Sequence, residues 1–181
     1  MARSIMTVLC ALILLTAGAG GAWAQTDKGG LVFMGTASFT TSSGDLYGGN
    51  SFTTLELSPR AYYFVADQIG VGGRLGFRNT STSGFSTSSI TFGPDAAYFF
   101  KTSSDNLLPF VGAGLFITST SVSNGHSSSA SGFTFSLHGG LAYLLKEHLS
   151  IFPELSLNLE NQDSNSGTTI MLGVGLAGFL Y

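Results

Sequence analysis

The sequence predicts an all-β fold, an eight-stranded antiparallel up-and-down β-barrel, and three observations support this prediction. Apolar residues alternate with small or polar residues over most of the chain, which is the period of a strand with one apolar face. Clusters of Ser, Thr, Gly and Asn divide the alternating segments into eight. The predicted connections alternate between long and short, which is typical of a barrel whose two ends differ.

Residues 55–78 show the alternation most clearly, as two runs on either side of a predicted four-residue turn. In the first run, one face is mainly apolar and the other carries Glu56 and Arg60. In the second run, one face is mainly apolar and the other combines glycines with Arg74 and Arg78. Because glycine and paired charges suit a crowded interior, we expect the charged face to line the lumen and the apolar face to meet lipid.

Residues 1–24 are organised like a secretory signal peptide. Arg3 precedes an apolar run at 5–16, and a small-x-small site ends at Ala24. The run is shorter than the ~20 residues of a membrane-spanning helix, so we expect cleavage after Ala24 rather than an anchor. Cleavage would also remove Cys10, the only cysteine, and the mature chain would then have neither a disulfide nor a thiolate metal site.

Cleavage would lower the seven basic residues to six and leave the ten acidic residues, so the net charge would change from −3 to −4. No basic patch indicates a nucleic-acid partner. Hydrophobic residues make up 44% of the chain, which is too many for a disordered protein.

The remaining chain divides into a polar periplasmic lead-in at 25–30 and a barrel at 31–181. The eight strands are predicted at residues 31–40, 55–64, 69–78, 90–100, 107–119, 132–145, 149–160 and 168–181. Short turns are predicted at residues 65–68, 101–106 and 146–148, and Ser/Thr-rich loops at residues 41–51, 80–89, 120–131 and 161–167. Each strand is about as long as the 9–11 residues that cross a membrane at a tilt. An even number of strands places both termini on the periplasmic side.

A tyrosine precedes each predicted short turn on the apolar face. The pattern Pro-x-x-x-Tyr-Phe at Pro59 recurs at Pro94, and a weaker version begins at Gly139. This repetition favours an interfacial aromatic girdle over ordinary β-rich repetition. The predicted girdle residues are Tyr63, Tyr98 and Tyr143.

Two features depart from a simple strand pattern. All four prolines fall inside predicted strands, where proline removes a ladder donor, so we expect bulges or frayed strand ends at Pro59, Pro94, Pro109 and Pro153. In the last strand, the residues that look lipid-facing are Ile170, Leu172, Val174 and Leu176. Phe179 and Tyr181 could face outward as well only if the strand contained a bulge, and their facing stays open.

Three stretches carry a resemblance to a known family. PRAYYFVADQIGVG at 59–72 resembles the strand–turn–strand centre of the small eight-stranded outer-membrane β-barrel family, the OmpX and OmpA-barrel type. PFVGAG at 109–114 resembles its fifth strand, and GLAGFLY at 175–181 is similar to the carboxy-terminal signal read by the outer-membrane assembly machinery. The resemblance covers nearly all of 30–181.

The resemblance implies a transmembrane β-barrel in the outer membrane of a Gram-negative bacterium. The implied partners are outer-membrane lipid and lipopolysaccharide, together with the assembly machinery through the last strand, and we expect a monomer. Members of this family serve as adhesins, structural barrels or small enzymes, so the resemblance does not specify an activity.

Charged side chains within the strands share the predicted inner face. They are Glu56, Arg60, Arg74, Arg78, Asp95, Glu154 and Glu160, with His138 beside them. We expect Arg74 to pair with both Asp95 and Glu154, and Arg60 to lie beside this cluster. Glu56 is expected to pair with Arg78 one layer further along the barrel. Both predictions follow because buried charges persist only when they are paired. The predicted role is structural, in a closed lumen filled by side chains rather than a pore.

A catalytic role for these or other residues has weaker support than the structural role. Glu154 and Glu160 lie six residues apart on one strand, too far for a retaining carboxylate pair. His126, Ser127 and Ser128 include the residue types of a lipid A deacylase, but Glu147, the nearest acid in sequence, is expected at the opposite rim. His138 is expected to be a hydrogen-bonding group in the lumen. We therefore predict no catalytic, cofactor-binding or metal-binding residues.

The leading functional hypothesis is a non-enzymatic outer-membrane barrel with a structural or surface-contact role, including adhesion, through its Ser/Thr/Asn-rich external loops. Tyr47, Phe85 and His126 are the candidate contact residues in those loops, and the alternative is that they pack against their own loops. The second hypothesis is a lipid-modifying enzyme of the lipid A deacylase kind. The third is a soluble ligand-binding barrel of the lipocalin type, which would need an apolar interior and a charged exterior.

Overall fold

The computed structural model describes residues 24–42, 52–82, 85–104, 106–123, 127–162 and 165–181. A 3₁₀ helix at Ala24–Thr26 precedes eight strands. The strands are β1 Leu31–Ser42, β2 Phe52–Ala66, β3 Ile69–Thr82, β4 Phe85–Phe99, β5 Leu107–Ser123, β6 Ser127–Lys146, β7 Leu149–Gln162 and β8 Asn165–Leu180. Within the described ranges, no helix is long and apolar enough to cross a membrane.

Each strand pairs antiparallel with the next strand in sequence, and β8 pairs with β1 to close the barrel. The predicted all-β, eight-stranded up-and-down barrel is therefore confirmed. The predicted orientation is also correct: Leu75 on the apolar face of β3 is 48% exposed, whereas Asp95 on β4 is 2% exposed inside the barrel. The exterior wall is apolar and the interior holds the charges.

The strands run further than the sequence pattern predicts. Predicted loop 80–89 is mostly strand, because β3 ends at Thr82 and β4 begins at Phe85. In predicted loop 120–131, residues 120–123 belong to β5 and residues 127–131 to β6. Threonine fits a pleated strand, and hydroxyl side chains form hydrogen bonds across the barrel's inner surface. These bonds join Thr54 to Thr80, Ser89 to Thr120, Thr91 to Thr118, and Thr118 to Thr134.

The first short turn is tighter than predicted. β2 continues to Ala66, so Asp67 and Gln68 alone connect it to β3. The pairing register shifts between Phe64 and Ala66, and Gln68 takes a positive φ of 69°. This irregularity lets two residues reverse the chain where the alternation alone indicated four.

Three of the four prolines interrupt one ladder without changing its register. Between β2 and β3, the paired residues skip Ser58 and Pro59 while the alignment on either side is the same. Pairing is interrupted in the same way at Pro94 and Pro153. The prediction of bulges or frayed ends is wrong for these three, since losing one N–H donor affects only one neighbour. Pro109 lies near the start of β5, as expected of a strand end.

The closing seam between β1 and β8 is paired over only part of its length. Pairing runs from Leu31 with Leu180 to Ala37 with Val174. Beyond this point, β1 continues to Ser42 and β8 extends back to Asn165, and no pairs join the two strands there among the described residues. Ile170 and Leu172, on this part of β8, are 70% and 73% exposed.

The facing of the last residues is now resolved. Phe179 is fully buried in the lumen, and the pairing of β8 shows no bulge. Ile170 and Leu176 face outward, as the alternation predicted. Tyr181 follows the end of β8 and is exposed, with its ring centroid 4.8 Å from that of His148.

The core of the molecule is an aromatic plug inside the short-turn half of the barrel. Its members are Val32, Met34, Tyr62, Phe64, Ala97, Phe99, Leu108, Phe110, Ala142, Leu144, Phe152, Ala177 and Phe179. Glycines on the inner face leave room for these rings: a Cβ at Gly140 would meet Phe110, and one at Gly175 would meet Phe152. The charged residues lie beyond this plug, towards the other end.

Candidate functional site

The charges in the lumen form two clusters beyond the aromatic plug. The inner cluster consists of Arg60, Tyr62, Arg74, Asp95, His138 and Glu154. The outer cluster consists of Glu56, Arg78, Asn158, Glu160 and Met171. All seven charged residues that the sequence places on the inner face of the strands take part in these ion pairs.

Arg60 and Glu154 form the ion pair that crosses the lumen of the inner cluster. Arg60 extends from β2 and Glu154 from β7, and both side chains are almost completely buried. The Arg60 guanidinium also lies 5.9 Å from the Phe110 ring centroid and 5.8 Å from that of Phe152. The aromatic plug therefore supports the cation from below through cation–π contacts.

Arg74 and Asp95 form the second pair of the inner cluster, with Nε and Oδ2 3.5 Å apart. The Tyr62 hydroxyl donates to the same Asp95 oxygen at 3.0 Å. His138 Nε2 lies 3.3 Å from the Tyr62 hydroxyl and 3.9 Å from Asp95 Oδ1. The Arg74 guanidinium is 4.1 Å from the Phe116 ring centroid, so it too is supported by an aromatic face.

The partner of Glu154 differs from the one expected. The sequence predicts that Arg74 takes both Asp95 and Glu154, but Glu154 pairs with Arg60. The alternation of residues along a strand determines which side chains enter the lumen. The residue that a side chain meets on the far side of the lumen depends on the stagger between strands that are not neighbours. Sequence reasoning also assigned no role to Tyr62, although its inward parity, shared with Arg60, was the available signal.

In the outer cluster, one arginine holds two carboxylates. Arg78 Nε is 2.7 Å from Glu56 Oε2, and Arg78 Nη1 is 3.2 Å from Glu160 Oε1. Glu56 and Arg78 are direct cross-strand partners of β2 and β3, and the predicted pairing of these two residues is observed. Arg78 Nη2 also donates to Met171 Sδ at 3.3 Å.

A polar cavity of about 90 Å³, the outer cavity, lies between the two clusters and the hydroxyl-lined end of the barrel. Its lining includes Arg74, Arg78, Glu154, Glu160 and Met171. Ligand pockets for drug-sized molecules are ~300–1,000 Å³, so this cavity suits water or a small ion rather than an organic ligand.

The lead-in segment lies across the short-turn mouth of the barrel. Thr26 accepts a hydrogen bond from the Gln68 N–H at 2.7 Å, and the Gln25 side chain donates to the Glu147 carbonyl. Asp27 pairs with Lys101 at 3.3 Å. The segment thus contacts all three short connections, and the plug lies directly behind it.

The three predicted girdle tyrosines, Tyr63, Tyr98 and Tyr143, are all exposed on the exterior wall near the short turns. Tyr98 packs edge-to-face on Phe100 with ring centroids 4.8 Å apart. Their placement at the membrane interface stays a prediction.

The predicted catalytic alternatives gain no geometric support. His126 and Tyr47 lie outside the described residues, and the side chain of Phe85, the first residue of β4, is not described. Ser127 begins β6, whose 20 residues separate it from the turn containing Glu147. At ~3.3 Å per residue the two ends of β6 are roughly 60 Å apart, far beyond hydrogen-bond reach. Glu154 and Glu160 are paired with different arginines.

Comparison with known proteins places the chain among outer-membrane barrels. Residues 10–177 match the family model described as the outer membrane protein beta-barrel domain. No curated protein matches the sequence.

Solved structures share the fold at low sequence identity. Neisserial surface protein A has a TM-score of 0.60 and 17% identity over 83% of this chain and 97% of its own. OprG of Pseudomonas aeruginosa has a TM-score of 0.53 and 12% identity over 86% and 97%. The N-terminal β-barrel domain of Pseudomonas aeruginosa OprF has a TM-score of 0.50 and 16% identity over 84% and 98%. With the family model spanning most of its length, this chain belongs to the outer-membrane β-barrel family of Gram-negative bacteria.

Proposed function

We propose that this protein is a non-enzymatic outer-membrane barrel that contacts external surfaces through its hydroxyl-rich hairpins. The observation that carries the proposal is the extension of β5 and β6 beyond the apolar wall. The last apolar residues of these strands on the outer face are Ile117 and Phe133, yet pairing continues to Ser123 with Ser127. Six residues at ~3.3 Å each extend the hairpin by about 20 Å, measured along the tilted strands.

The composition of the projecting hairpin supports a contact role. Residues 118–123 and 127–132 consist of Ser, Thr, Gly, Ala and Val and carry no charge. Hydroxyl groups offer both donors and acceptors, which suits hydrogen bonding to carbohydrate. The partners we propose are lipopolysaccharide and the glycoproteins of a host matrix.

The interior supports a structural role for the barrel itself. Ion pairs, aromatic rings and the lead-in segment occupy the lumen, which leaves no continuous path for solutes among the described residues. The charges lie inside and the apolar side chains outside, which is the reverse of a soluble lipocalin. No observation favours that alternative or the lipid-modifying enzyme.

We also propose a membrane topology for the chain. A signal peptide at 1–24 is removed after Ala24, and residues 25–30 remain in the periplasm as the lead-in. Both termini are periplasmic, the C-terminal strand is read by the assembly machinery, and the mature barrel is a monomer. Mass spectrometry of the protein purified from outer membranes would give the mature N-terminus, and a start other than Gln25 would contradict this topology.

A cell-adhesion assay tests the surface role. A variant lacking Ser121, Val122, Ser128 and Ser129 shortens the hairpin by two cross-strand pairs and keeps the inward and outward parity. Cells displaying this variant should bind less to plates coated with lipopolysaccharide or fibronectin than cells displaying the native protein. Lys101→Ala, at the opposite mouth, should leave binding unchanged.

Two measurements complete the test. Heat-modifiable gel mobility and surface labelling establish that both variants fold and reach the surface in equal amounts. Equal binding by the shortened variant and the native protein would refute the hairpin contact. A lipid A mass profile that changes when the gene is deleted would favour the enzyme instead.

A further inference from the structure

Two methionines remain once the predicted signal peptide is removed, Met34 and Met171, because Met1 and Met6 lie within it. They occupy opposite environments on the inner face of neighbouring strands. Met34 on β1 is 4% exposed and belongs to the aromatic plug. Met171 on β8 is partly exposed and lines the outer cavity.

The thioether of Met171 has two polar donors directed at it. Arg78 Nη2 is 3.3 Å from Met171 Sδ, and Asn158 Nδ2 is 3.7 Å from the same atom. A thioether is a weak hydrogen-bond acceptor, so the Arg78 guanidinium and the Asn158 amide each donate to a weak acceptor. A sulfoxide oxygen would be a much stronger acceptor for both, and the outer cavity of about 90 Å³ lies beside the sulfur to receive it.

We propose that Met171 is an oxidation site whose sulfoxide is held by Arg78 and Asn158. The oxidant is hydrogen peroxide, which enters the outer cavity from the long-loop end. The sulfur lone pair attacks one peroxide oxygen, an S–O bond forms and the O–O bond breaks. The leaving hydroxide takes up the proton of the transferred oxygen and departs as water, so sulfur loses two electrons and the peroxide gains them.

Oxidation of Met171 is expected to leave the packing of the barrel intact, unlike the oxidation of a methionine in apolar surroundings. Oxidation usually places a polar sulfoxide among apolar side chains and disrupts packing. At Met171 the new oxygen meets existing donors, and Arg78 keeps its ion pairs with Glu56 and Glu160. Met34 is packed in the plug, and no such donor contacts it among the described residues, so its oxidation would show the ordinary damage.

Timed oxidation of the native protein tests the site. The barrel is folded in detergent micelles and exposed to hydrogen peroxide, and oxygen uptake is followed on the Met34 and Met171 peptides by mass spectrometry. Met171 should oxidise about tenfold faster than Met34 in the folded protein, because susceptibility follows exposure. In urea the two rates should become equal. Equal rates in the folded protein, or an unreactive Met171, would overturn the proposal.

A pair of matched substitutions tests whether the polar product is accommodated. Met171→Gln and Met34→Gln each place a polar acceptor at the methionine position. Met171→Gln should keep or raise the urea midpoint of unfolding, and Met34→Gln should lower it. A comparable loss of midpoint in both variants would refute the accommodation by Arg78 and Asn158. Both readouts are independent of the surface-contact proposal, since neither involves the projecting hairpin.

Discussion

Buried charges in this barrel are paired within the lumen, and the pair formed by Arg60 and Glu154 is the most enclosed example. Both side chains are removed from water, so each depends on the other for compensation. The remaining Arg60 nitrogens, Nε and Nη1, make no hydrogen bond to described protein atoms and face the aromatic plug instead. Loss of Glu154 would therefore leave the buried Arg60 cation without its ion-pair partner.

Glu154→Gln should destabilise the folded barrel by about 3–5 kcal/mol, the usual cost of an uncompensated buried charge. The double variant Arg60→Met with Glu154→Leu should recover most of this loss, because it removes both charges and keeps apolar volume. Urea titration followed by gel mobility measures both. A double variant as unstable as the single one would show that the pair is not the source of the effect.

Adjacent tyrosines allow the two faces of one strand to be compared with the same substitution. Tyr62 is buried and donates to Asp95 at 3.0 Å, whereas Tyr63 faces outward. Tyr62→Phe should cost about 1–3 kcal/mol because it removes the hydroxyl donor from a buried carboxylate oxygen and leaves that oxygen only its ion pair with Arg74. Tyr63→Phe should change stability by less than about 0.5 kcal/mol, as surface substitutions usually do. Equal effects in urea titrations would contradict the assigned facing.

At the scale of elements, the seam between β1 and β8 is the least paired junction of the barrel. It ends at Ala37 with Val174, whereas β5 and β6 are paired from Leu107 with Tyr143 to Ser123 with Ser127. Unpaired backbone groups exchange their protons more readily than those in a ladder. The outer part of this seam is therefore where local opening should begin.

Hydrogen exchange should show this difference directly. We expect the amides of residues 38–42 and 165–173 that point towards the seam to exchange faster than the amides of β5 and β6 at the same distance from the short turns. Amides of β8 that pair with β7 provide the internal control, since they belong to the same strand. Uniform protection along β8 would show that the seam closes further than its pairing indicates.

At the scale of the whole molecule, the lumen is filled in layers. The lead-in segment covers one mouth, the aromatic plug follows, and two charge clusters lie beyond it. Eight strands enclose an interior just wide enough for side chains, and the outer cavity between the layers measures only about 90 Å³.

A planar bilayer containing the purified protein should therefore show no steady, large, ion-selective conductance. The conductance of the native barrel should be compared with that of the double variant Phe110→Ala with Phe152→Ala. This variant opens the layer beneath Arg60 by replacing two plug residues with small ones. Steady conductance of the native barrel would contradict a closed lumen.

Much of this architecture could be predicted because alternation is a local property. The parity of Glu56, Arg74 and Asp95 follows from the residues on either side of each, and it placed them correctly in the lumen. Loop boundaries could not be predicted in the same way, since Ser and Thr suit both loops and strands. Residues 80–82 and 120–123 became strand only because they pair with a neighbouring strand.

The sequence by itself determined the all-β fold, the number of strands and the face on which each charge lies, because a period of two depends only on adjacent residues. The tertiary structure decided that Glu154 meets Arg60, that Phe179 turns inward and that β1 and β8 pair over part of their length. Each of these depends on the stagger between strands once the barrel closes. That stagger is a relation between distant segments, and no local pattern contains it.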